Sequence, residues 1–281
     1  MATRTTKAVV GVLVVAGVAV GGGYGLHALW TTAKSHLTVD NCAVGAYDLD
    51  TNQASVASTM VGAVTQYRIA LPERAAVLVL AAGLQESKLT NLALGEGDRD
   101  SVGVLQQRPS QGWGGGDPKK LNNVGEATKE FLDKLVAVPN WQRLPLAEAV
   151  QAVQISADGS LYAQHETEAQ TLADALQGRK PAGISCEFQK PTKVATTAQV
   201  AAQARKELGI DTPTAAGALT VRAPGARWQT AAWFVANADR LGIERVAYAG
   251  QTWTRSGGWS KTSAASSAAV VATMHDLSKD K

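Results

Sequence analysis

The stretch "LPERAAVLVLAAGLQESKL" at Leu71–Leu89 decides how this chain folds. Every residue in Ala75–Leu84 is apolar or small, and no charge interrupts the run. Pro72 and Glu73 are favoured in the first turn of a helix, so the pattern predicts a helix that begins there. A helix that is apolar on all sides lies in the middle of a core. The stretch therefore predicts a central helix whose polar end carries Glu86.

Glu86 shares a helix face with Val79, Ala82 and Gly83, which lie seven, four and three residues before it. Partial burial disfavours the charged form of a carboxyl group and raises its pKa, which suits a general acid near neutral pH. The alternative is that Glu86 only marks the point where the helix emerges into solvent. Periodicity alone leaves both interpretations open.

Three further segments show helical periodicity, at residues 55–68, 126–138 and 146–156. Strand signals are poor in this region, so residues 42–188 are predicted to form a mainly α domain. A linker and a helix are expected at 189–210. Residues 211–281 mix an amphipathic helix with short alternating stretches, which predicts a small α/β module.

The N-terminal part predicts a membrane anchor. Residues 8–30 carry no formal charge apart from a possible one on His27, and 23 residues at about 1.5 Å each can cross a hydrocarbon core of roughly 30 Å. The basic residues within 1–7 favour a cytoplasmic tail, with 31–41 as a stalk. A cleaved signal peptide is the alternative. The predicted location is the cell membrane, with a single span and an extracytoplasmic C-terminal part.

Cysteine count and charge narrow the function classes. Cys42 and Cys186 are the only cysteines, and in an exported chain they predict one disulfide, with two free thiols as the alternative. Four dispersed histidines offer no metal-ligand cluster, so no metal and no cofactor are expected. A formal net charge of +3 does not make the basic surface that nucleic-acid binding requires.

Two motifs carry a family resemblance: "QES" at residues 85–87 and "GVLQQRPSQGWG" at 103–114. They resemble the Glu-Ser and Gly-Leu-Met-Gln motifs of lytic transglycosylases in the lysozyme-like superfamily. They are more similar still to actinobacterial wall proteins that read "QES" and then "GDRDSLGLFQQRPSQGWG". The resemblance spans roughly residues 55–166 and implies a lysozyme-like transglycosylase domain at 42–188.

The resemblance also implies roles for single residues. Glu86 would protonate the glycosidic oxygen, Ser87 would help to orient it, and Gln106 and Gln107 would line the sugar groove. The family's third motif, Ala-Tyr-Asn, is replaced by "AVQ" at 152–154. The tyrosine expected to support the acid is therefore missing there, and Tyr162 is a candidate substitute.

Three more residues have two interpretations each. Asp98 or Asp100, in "GEGDRDS", could supply the second carboxylate that most glycosidases use, or could hydrogen-bond within a turn. Trp113 could form a platform for a sugar ring or could cap the core. In the C-terminal part, which is similar to a module of actinobacterial wall hydrolases, Trp253 and Trp259 are candidates for glycan binding.

These observations predict a membrane-anchored peptidoglycan glycosidase, most simply a lytic transglycosylase. A lysozyme-type hydrolase and a non-catalytic wall-binding scaffold remain alternatives. The expected partners are peptidoglycan glycan strands and the membrane, with no nucleic acid, and the sequence identifies no protein partner.

Overall fold

A computed structural model describes residues 40–156, 158–213, 220–224, 227–262 and 269–280. These residues belong to one compact unit, Val39–Lys281. Its α-helices are α1 (Thr51–Thr65), α2 (Arg74–Ser87), α3 (Pro118–Leu121), α4 (Val124–Leu135), α5 (Leu146–Gln154), α6 (Glu166–Leu176), α7 (Thr197–Leu208), α8 (Trp228–Ala236) and α9 (Ala238–Leu241). Four short 3₁₀ helices are also present, at Pro109–Gln111, Trp113–Gly116, Gly159–His165 and Leu277–Asp280.

Helix α2 lies at the centre of the first half of the unit. Its residues Ala75–Leu84 are all buried, and α1, α4, α5, α6 and the 3₁₀ helix Gly159–His165 pack around it. The helix ends because Lys88 adopts a left-handed conformation, with φ of 53°. The N–H of Leu89 then bonds back to the carbonyl of Gly83 at 3.0 Å, and the Leu89 side chain is buried. The polar residues of the last turn are thereby fixed at the edge of the core.

The strands form two antiparallel sheets. β1 (Asn41–Val44), β2 (Tyr47–Asp50) and β3 (Ser185–Glu187) make a three-stranded sheet in the order β2-β1-β3. A five-stranded sheet has the order β4-β8-β5-β6-β7, and its strands are β4 (Thr220–Pro224), β5 (Ile243–Tyr248), β6 (Gln251–Thr254), β7 (Gly258–Lys261) and β8 (Ala269–Met274). Helix α8 packs between this second sheet and helices α1 and α6.

The predicted fold class is wrong. A mainly α domain with a preceding transmembrane helix and one small α/β module does not describe a unit with two antiparallel sheets of three and five strands. Strands β1 and β3 escaped prediction because they have four and three residues, and a period of two cannot be read over so short a run. Their pairing, Cys42 with Cys186, also joins positions 144 residues apart.

The number of strands in the C-terminal sheet was predicted too low for a related reason. The stretch "ERVAYAGQTWT", which reads as one alternating strand, is a hairpin of β5 and β6. Its two-residue turn is Ala249–Gly250, both at positive φ, 48° and 75°. Gly at the second turn position is typical of a primed hairpin turn, whereas Ala at the first position is not, so the sequence did not predict the turn.

None of the helices within the described ranges combines the length and the apolar character that crossing a membrane requires. The predicted anchor at residues 8–30, its tail at 1–7 and nearly all of the predicted stalk at 31–41 lie outside the described residues.

The predicted disulfide is confirmed, because Cys42 and Cys186 are bonded and both are fully buried. The bond staples β1 to β3 and closes a loop that contains α1 to α6. A loop of 144 residues gains about 5 kcal/mol in the chain-entropy model, with smaller values usual in practice. The five-stranded sheet packs next to the disulfide, since the Trp253 indole N–H donates to the carbonyl of Cys186 at 2.9 Å.

Helices α1 and α7 approach so closely that only glycine fits between them. A Cβ built on Gly62 would lie 2.1 Å from the backbone oxygen of Glu207. We expect Gly62→Ala to lower the free energy of unfolding by about 1–3 kcal/mol, because the two backbones would have to separate. Urea denaturation followed by circular dichroism measures the change.

Gly125→Ala is the matched control, because Gly125 is also in a helix and its Cβ would meet only the Asn123 side-chain oxygen, at 3.5 Å. This substitution should be neutral or stabilising by up to about 1 kcal/mol. Equal effects of the two substitutions would contradict the close approach.

Candidate active site

The candidate active site is built around Glu86 in the last turn of α2. The Tyr162 hydroxyl donates a hydrogen bond to Glu86 Oε1 at 2.5 Å. Tyr162 is fully buried in the 3₁₀ helix Gly159–His165, which packs directly on α2. The Asp158 side chain caps this short helix by accepting from the N–H of Ser160 at 2.9 Å. The tyrosine is thus held by the core while its hydroxyl reaches the acid.

Burial raises the pKa of Glu86 above its ordinary value, and the hydrogen bonds of Tyr162 and Gln154 oppose that rise. No charged group among the described residues contributes to this pKa. Burial and the contact with Glu86 also raise the pKa of the Tyr162 hydroxyl, so the phenol keeps its proton and remains a donor. A half-buried carboxyl group with a raised pKa thus lies beside a neutral hydrogen-bond donor.

Gln154, the last residue of α5, connects the acid to the neighbouring loop. Its amide donates to the carbonyl of Leu105 at 2.9 Å, and the same side chain interacts with Glu86. Its Oε1 atom is buried, with no hydrogen-bond partner among the described residues. Gln154 therefore fixes the separation between Glu86 and the loop at residues 101–107.

That loop carries the sequence Gly-Val-Leu-Gln, and side-chain donors hold three consecutive carbonyls in it. The Gly103 carbonyl accepts from Gln106 at 2.8 Å, the Val104 carbonyl from Ser87 at 2.8 Å, and the Leu105 carbonyl from Gln154 at 2.9 Å. Ser87 of α2 and Gln154 of α5 thus hold the loop against the end of α2, and Gln106 closes a turn within the loop.

Ser87 is placed differently from its predicted role as a residue that orients Glu86. Its hydroxyl contacts the carbonyls of Val104 and Gly83 and accepts from the N–H of Thr90 at 3.1 Å. No hydrogen bond joins Ser87 to Glu86 in the described part of the chain. Ser87 positions the loop, and it acts on the acid only through that loop.

The two predicted groove glutamines are both engaged within the protein. Gln106 is half-buried, has φ of 46°, and lies under Gly97, where a Cβ would come within 2.2 Å of its side-chain oxygen. Gln107 is buried and its amide donates to the carbonyl of Ala127 at 3.1 Å. Gln107 therefore anchors the loop to α4, whereas part of Gln106 remains accessible.

The two predicted second carboxylates do not contact Glu86. Asp100 forms an ion pair with Arg108 at 2.7 Å and accepts from the N–H of Ser110 at 2.8 Å. Bonds from Ser110 and Arg108 hold the pKa of Asp100 far below its usual range. Asp98 is 89% exposed and lies 3.8 Å from Arg99. Asp100 therefore stabilises a turn by hydrogen bonding within the loop, which is the second of the two interpretations of this residue.

The tryptophans predicted as sugar platforms are mostly inside the protein. Trp113 is buried, and the Lys134 ammonium lies 4.1 Å from the centre of its ring. Trp253, in strand β6, is fully buried. Trp259 is partly buried and its indole N–H donates to the carbonyl of Ile184 at 2.7 Å. None of the three presents an open ring face beside Glu86.

No protein-family model matches this chain. A search of curated proteins finds no match either.

Sequence reasoning missed Gln154 and Gln85. Gln85 accepts from Gln164 at 3.0 Å and contacts His165 Nε2 at 3.0 Å, so it holds the far end of the 3₁₀ helix that carries Tyr162. The signal for Gln154 was present, because "AVQ" ends in an amide where the third family motif ends in an amide. For Gln85, the only indication in the sequence was its position directly before Glu86.

The raised pKa of Glu86 makes a prediction about stability. A carboxyl group with a folded pKa above its unfolded value of about 4.3 contributes stability below that value and loses it as pH rises through the folded pKa. We expect Glu86→Gln to be more stable than wild type at pH 7.5, since the variant buries no charge.

Urea denaturation at pH 7.5 and at pH 4.0 provides the measurement, and the advantage of Glu86→Gln should shrink at the lower pH. Glu96→Gln is the control, because Glu96 is exposed, and its effect should be small at both values. A Glu86→Gln variant less stable than wild type at pH 7.5 contradicts the assigned ionisation.

Proposed function

We propose that this protein cleaves peptidoglycan glycan strands between N-acetylmuramic acid and N-acetylglucosamine as a lytic transglycosylase. The observation that carries the proposal is the pair of Glu86 and Tyr162, a half-buried carboxyl group with a raised pKa and a buried phenol at 2.5 Å from it. The two sequence motifs of the resemblance contact each other next to this pair, because Ser87, which follows Glu86, donates to the carbonyl of Val104 at 2.8 Å.

In the proposed reaction protonated Glu86 gives its proton to the glycosidic oxygen as the bond to the sugar's anomeric carbon breaks. The resulting carboxylate then takes the proton of a hydroxyl on the same sugar. That hydroxyl oxygen attacks the anomeric carbon and closes an anhydro ring. Glu86 ends the cycle protonated, and no water is consumed. Tyr162 holds the carboxylate in place while it carries the negative charge.

A single working carboxylate favours this reaction over hydrolysis. Most hydrolases place a second carboxylate on the opposite side of the scissile bond. The candidates here are occupied elsewhere or isolated, since Asp100 is paired with Arg108 and Asp98 is exposed to solvent. An attacking group supplied by the substrate itself needs no second carboxylate.

Apolar side chains at the surface near the acid support a substrate-binding role. Among the described residues, Ile155 is 81% exposed and directly follows Gln154, and Leu161 is 44% exposed and directly precedes Tyr162. Ile155 has φ of 52°, a conformation that a β-branched residue rarely adopts. In the proposed complex these two side chains would contact the less polar faces of the sugars.

The proposed place of action is outside the cytoplasm. The buried Cys42–Cys186 disulfide supports this location, because such bonds form and persist in oxidising compartments. Peptidoglycan strands are then the proposed partner, and no cofactor enters the reaction.

Digestion of purified peptidoglycan tests the proposal. Wild type should release muropeptides that end in an anhydro sugar, each one water lighter than the product of hydrolysis, as measured by mass spectrometry. Glu86→Gln should slow release by about 10²–10⁴-fold, because the amide has no proton to deliver. Asp98→Asn is the matched control and should leave the products unchanged. Reducing-end products would identify a hydrolase, and wall binding without any release would identify a scaffold.

The pH dependence tests the role of Tyr162 separately. Its hydrogen bond lowers the pKa of Glu86, so Tyr162→Phe should raise that pKa further. Because the reaction begins with protonated Glu86, the falling limb of the rate at high pH should move to higher pH while the maximal rate drops. A variant that is slower with an unshifted limb would indicate that Tyr162 serves packing alone.

A further inference from the structure

A concave site lies along α1 and does not include the Glu86–Tyr162 pair. It is a groove of about 560 Å³. Helix α1 forms one wall with Asn52, Ser55 and Thr59, and the start of α4 forms the opposite wall. Asn91 and Asn122 lie along it, and it also takes in Lys119, Lys206, Glu207 and Arg240. Neither Glu86 nor Tyr162 lines this groove.

The groove is lined mainly by side chains that can form hydrogen bonds, although it also exposes apolar surface. Most lining side chains are amides, hydroxyls or charged groups, and the apolar exceptions among the described residues are Val56, Ala63 and Val124. No described aromatic side chain lines it, so it lacks the stacking surface that suits a sugar ring. Amide side chains both donate and accept, which matches the alternating donors and acceptors of a peptide backbone.

The charges in the groove leave a positive surplus. Glu126 is paired with Lys129 at 3.1 Å, and Glu207 with Arg240 at 3.0 Å. Lys119 and Lys206 are exposed, and neither forms an ion pair with any residue that the structure describes. Two lysines without an anionic partner favour a ligand with carboxylate groups.

The inner end of the groove is rigid. Glu207 is held by Trp233 at 2.7 Å and by Thr59 at 3.1 Å, and its side chain is only 8% exposed. The Asn91 amide donates to the carbonyl of Asn122 at 2.8 Å. Its Oδ1 atom is buried and has no donor among the described residues.

We propose that this groove binds an acidic peptide, namely the carboxylate-bearing peptide stem of the wall polymer. The choice of stem rests on the proposed function, and the chemistry of the lining supports the peptide class. Asn52 lines the groove, and the next residue, Gln53, donates to the carbonyl of Lys88, two residues beyond Glu86, at 2.8 Å. Lys119 and Lys206 are the carboxylate-binding residues.

The test uses the full Glu86→Gln chain, which cannot cleave by the proposed route. Isothermal titration with the tetrapeptide L-Ala–γ-D-Glu–diaminopimelate–D-Ala should show saturable binding. The same peptide with its carboxylates amidated should bind at least tenfold more weakly. In ¹⁵N spectra the side-chain amide signals of Asn52, Asn91 and Asn122 should shift with the peptide.

Lys119→Gln combined with Lys206→Gln should weaken binding at least tenfold. Lys193→Gln combined with Lys261→Gln removes the same charge from exposed positions outside the groove and should leave binding unchanged. Equal loss in both double variants overturns the assignment, as does equal affinity for the amidated peptide or no binding at all. Tighter binding of tripolyphosphate than of the peptide would also overturn it, in favour of a phosphate site.

This result is separable from the cleavage reaction. The titration contains no glycan and uses a chain without the acid, so it does not depend on turnover. A protein that cleaves peptidoglycan but does not bind the tetrapeptide refutes the groove assignment alone. A protein that binds the tetrapeptide but never releases muropeptides refutes the proposed reaction alone.

Discussion

The rest of this structure depends on the fact that α2 has no face that water can touch. Ten consecutive apolar or small residues, Ala75–Leu84, require neighbours on every side. Those neighbours are four helices and the 3₁₀ helix that carries Tyr162. Where the apolar run ends, the polar side chains of the last turn, Gln85 and Glu86, remain partly inside the core. The raised pKa of Glu86 therefore follows from the packing of the first half of the unit.

A second polar group, Glu207 in α7, joins the first half of the unit to the C-terminal half. Its carboxylate accepts from the Trp233 indole and from Arg240, and it contacts the Thr59 hydroxyl. These partners belong to α8, α9 and α1. A buried carboxylate with this many donors is costly to leave partly bonded, so the four elements are specified as a set. Gly62 permits the close approach that this network needs.

The sequence predicts helices α1, α2, α4 and α5 because their signals are local, but α6 (Glu166–Leu176), which packs directly on α2, was not predicted. The apolar run of α2, its polar end and the resemblance motifs could all be identified from the sequence. The sheets were not, because β1 gains its partner β3 only when the chain has folded around α2. Asp100 shows the same limit, since its two interpretations differ only in whether Arg108 reaches it, and that depends on the shape of the loop. Gln154 was visible as a motif, but its contacts with Leu105 and Glu86 required the tertiary structure.

The covalent staple between β1 and β3 has a mechanical consequence. If tension were applied between the residues before Cys42 and the residues after Lys261, the force would pass through the S–S bond and bypass the chain between Cys42 and Cys186. The 144 residues of the closed loop, roughly 490 Å of extended chain, could not be pulled out. Glu86 and Tyr162 lie inside that protected length, whereas Lys206 and Arg240 lie outside it. Under load the groove along α1 would lose one end while the acid and its phenol stayed in register.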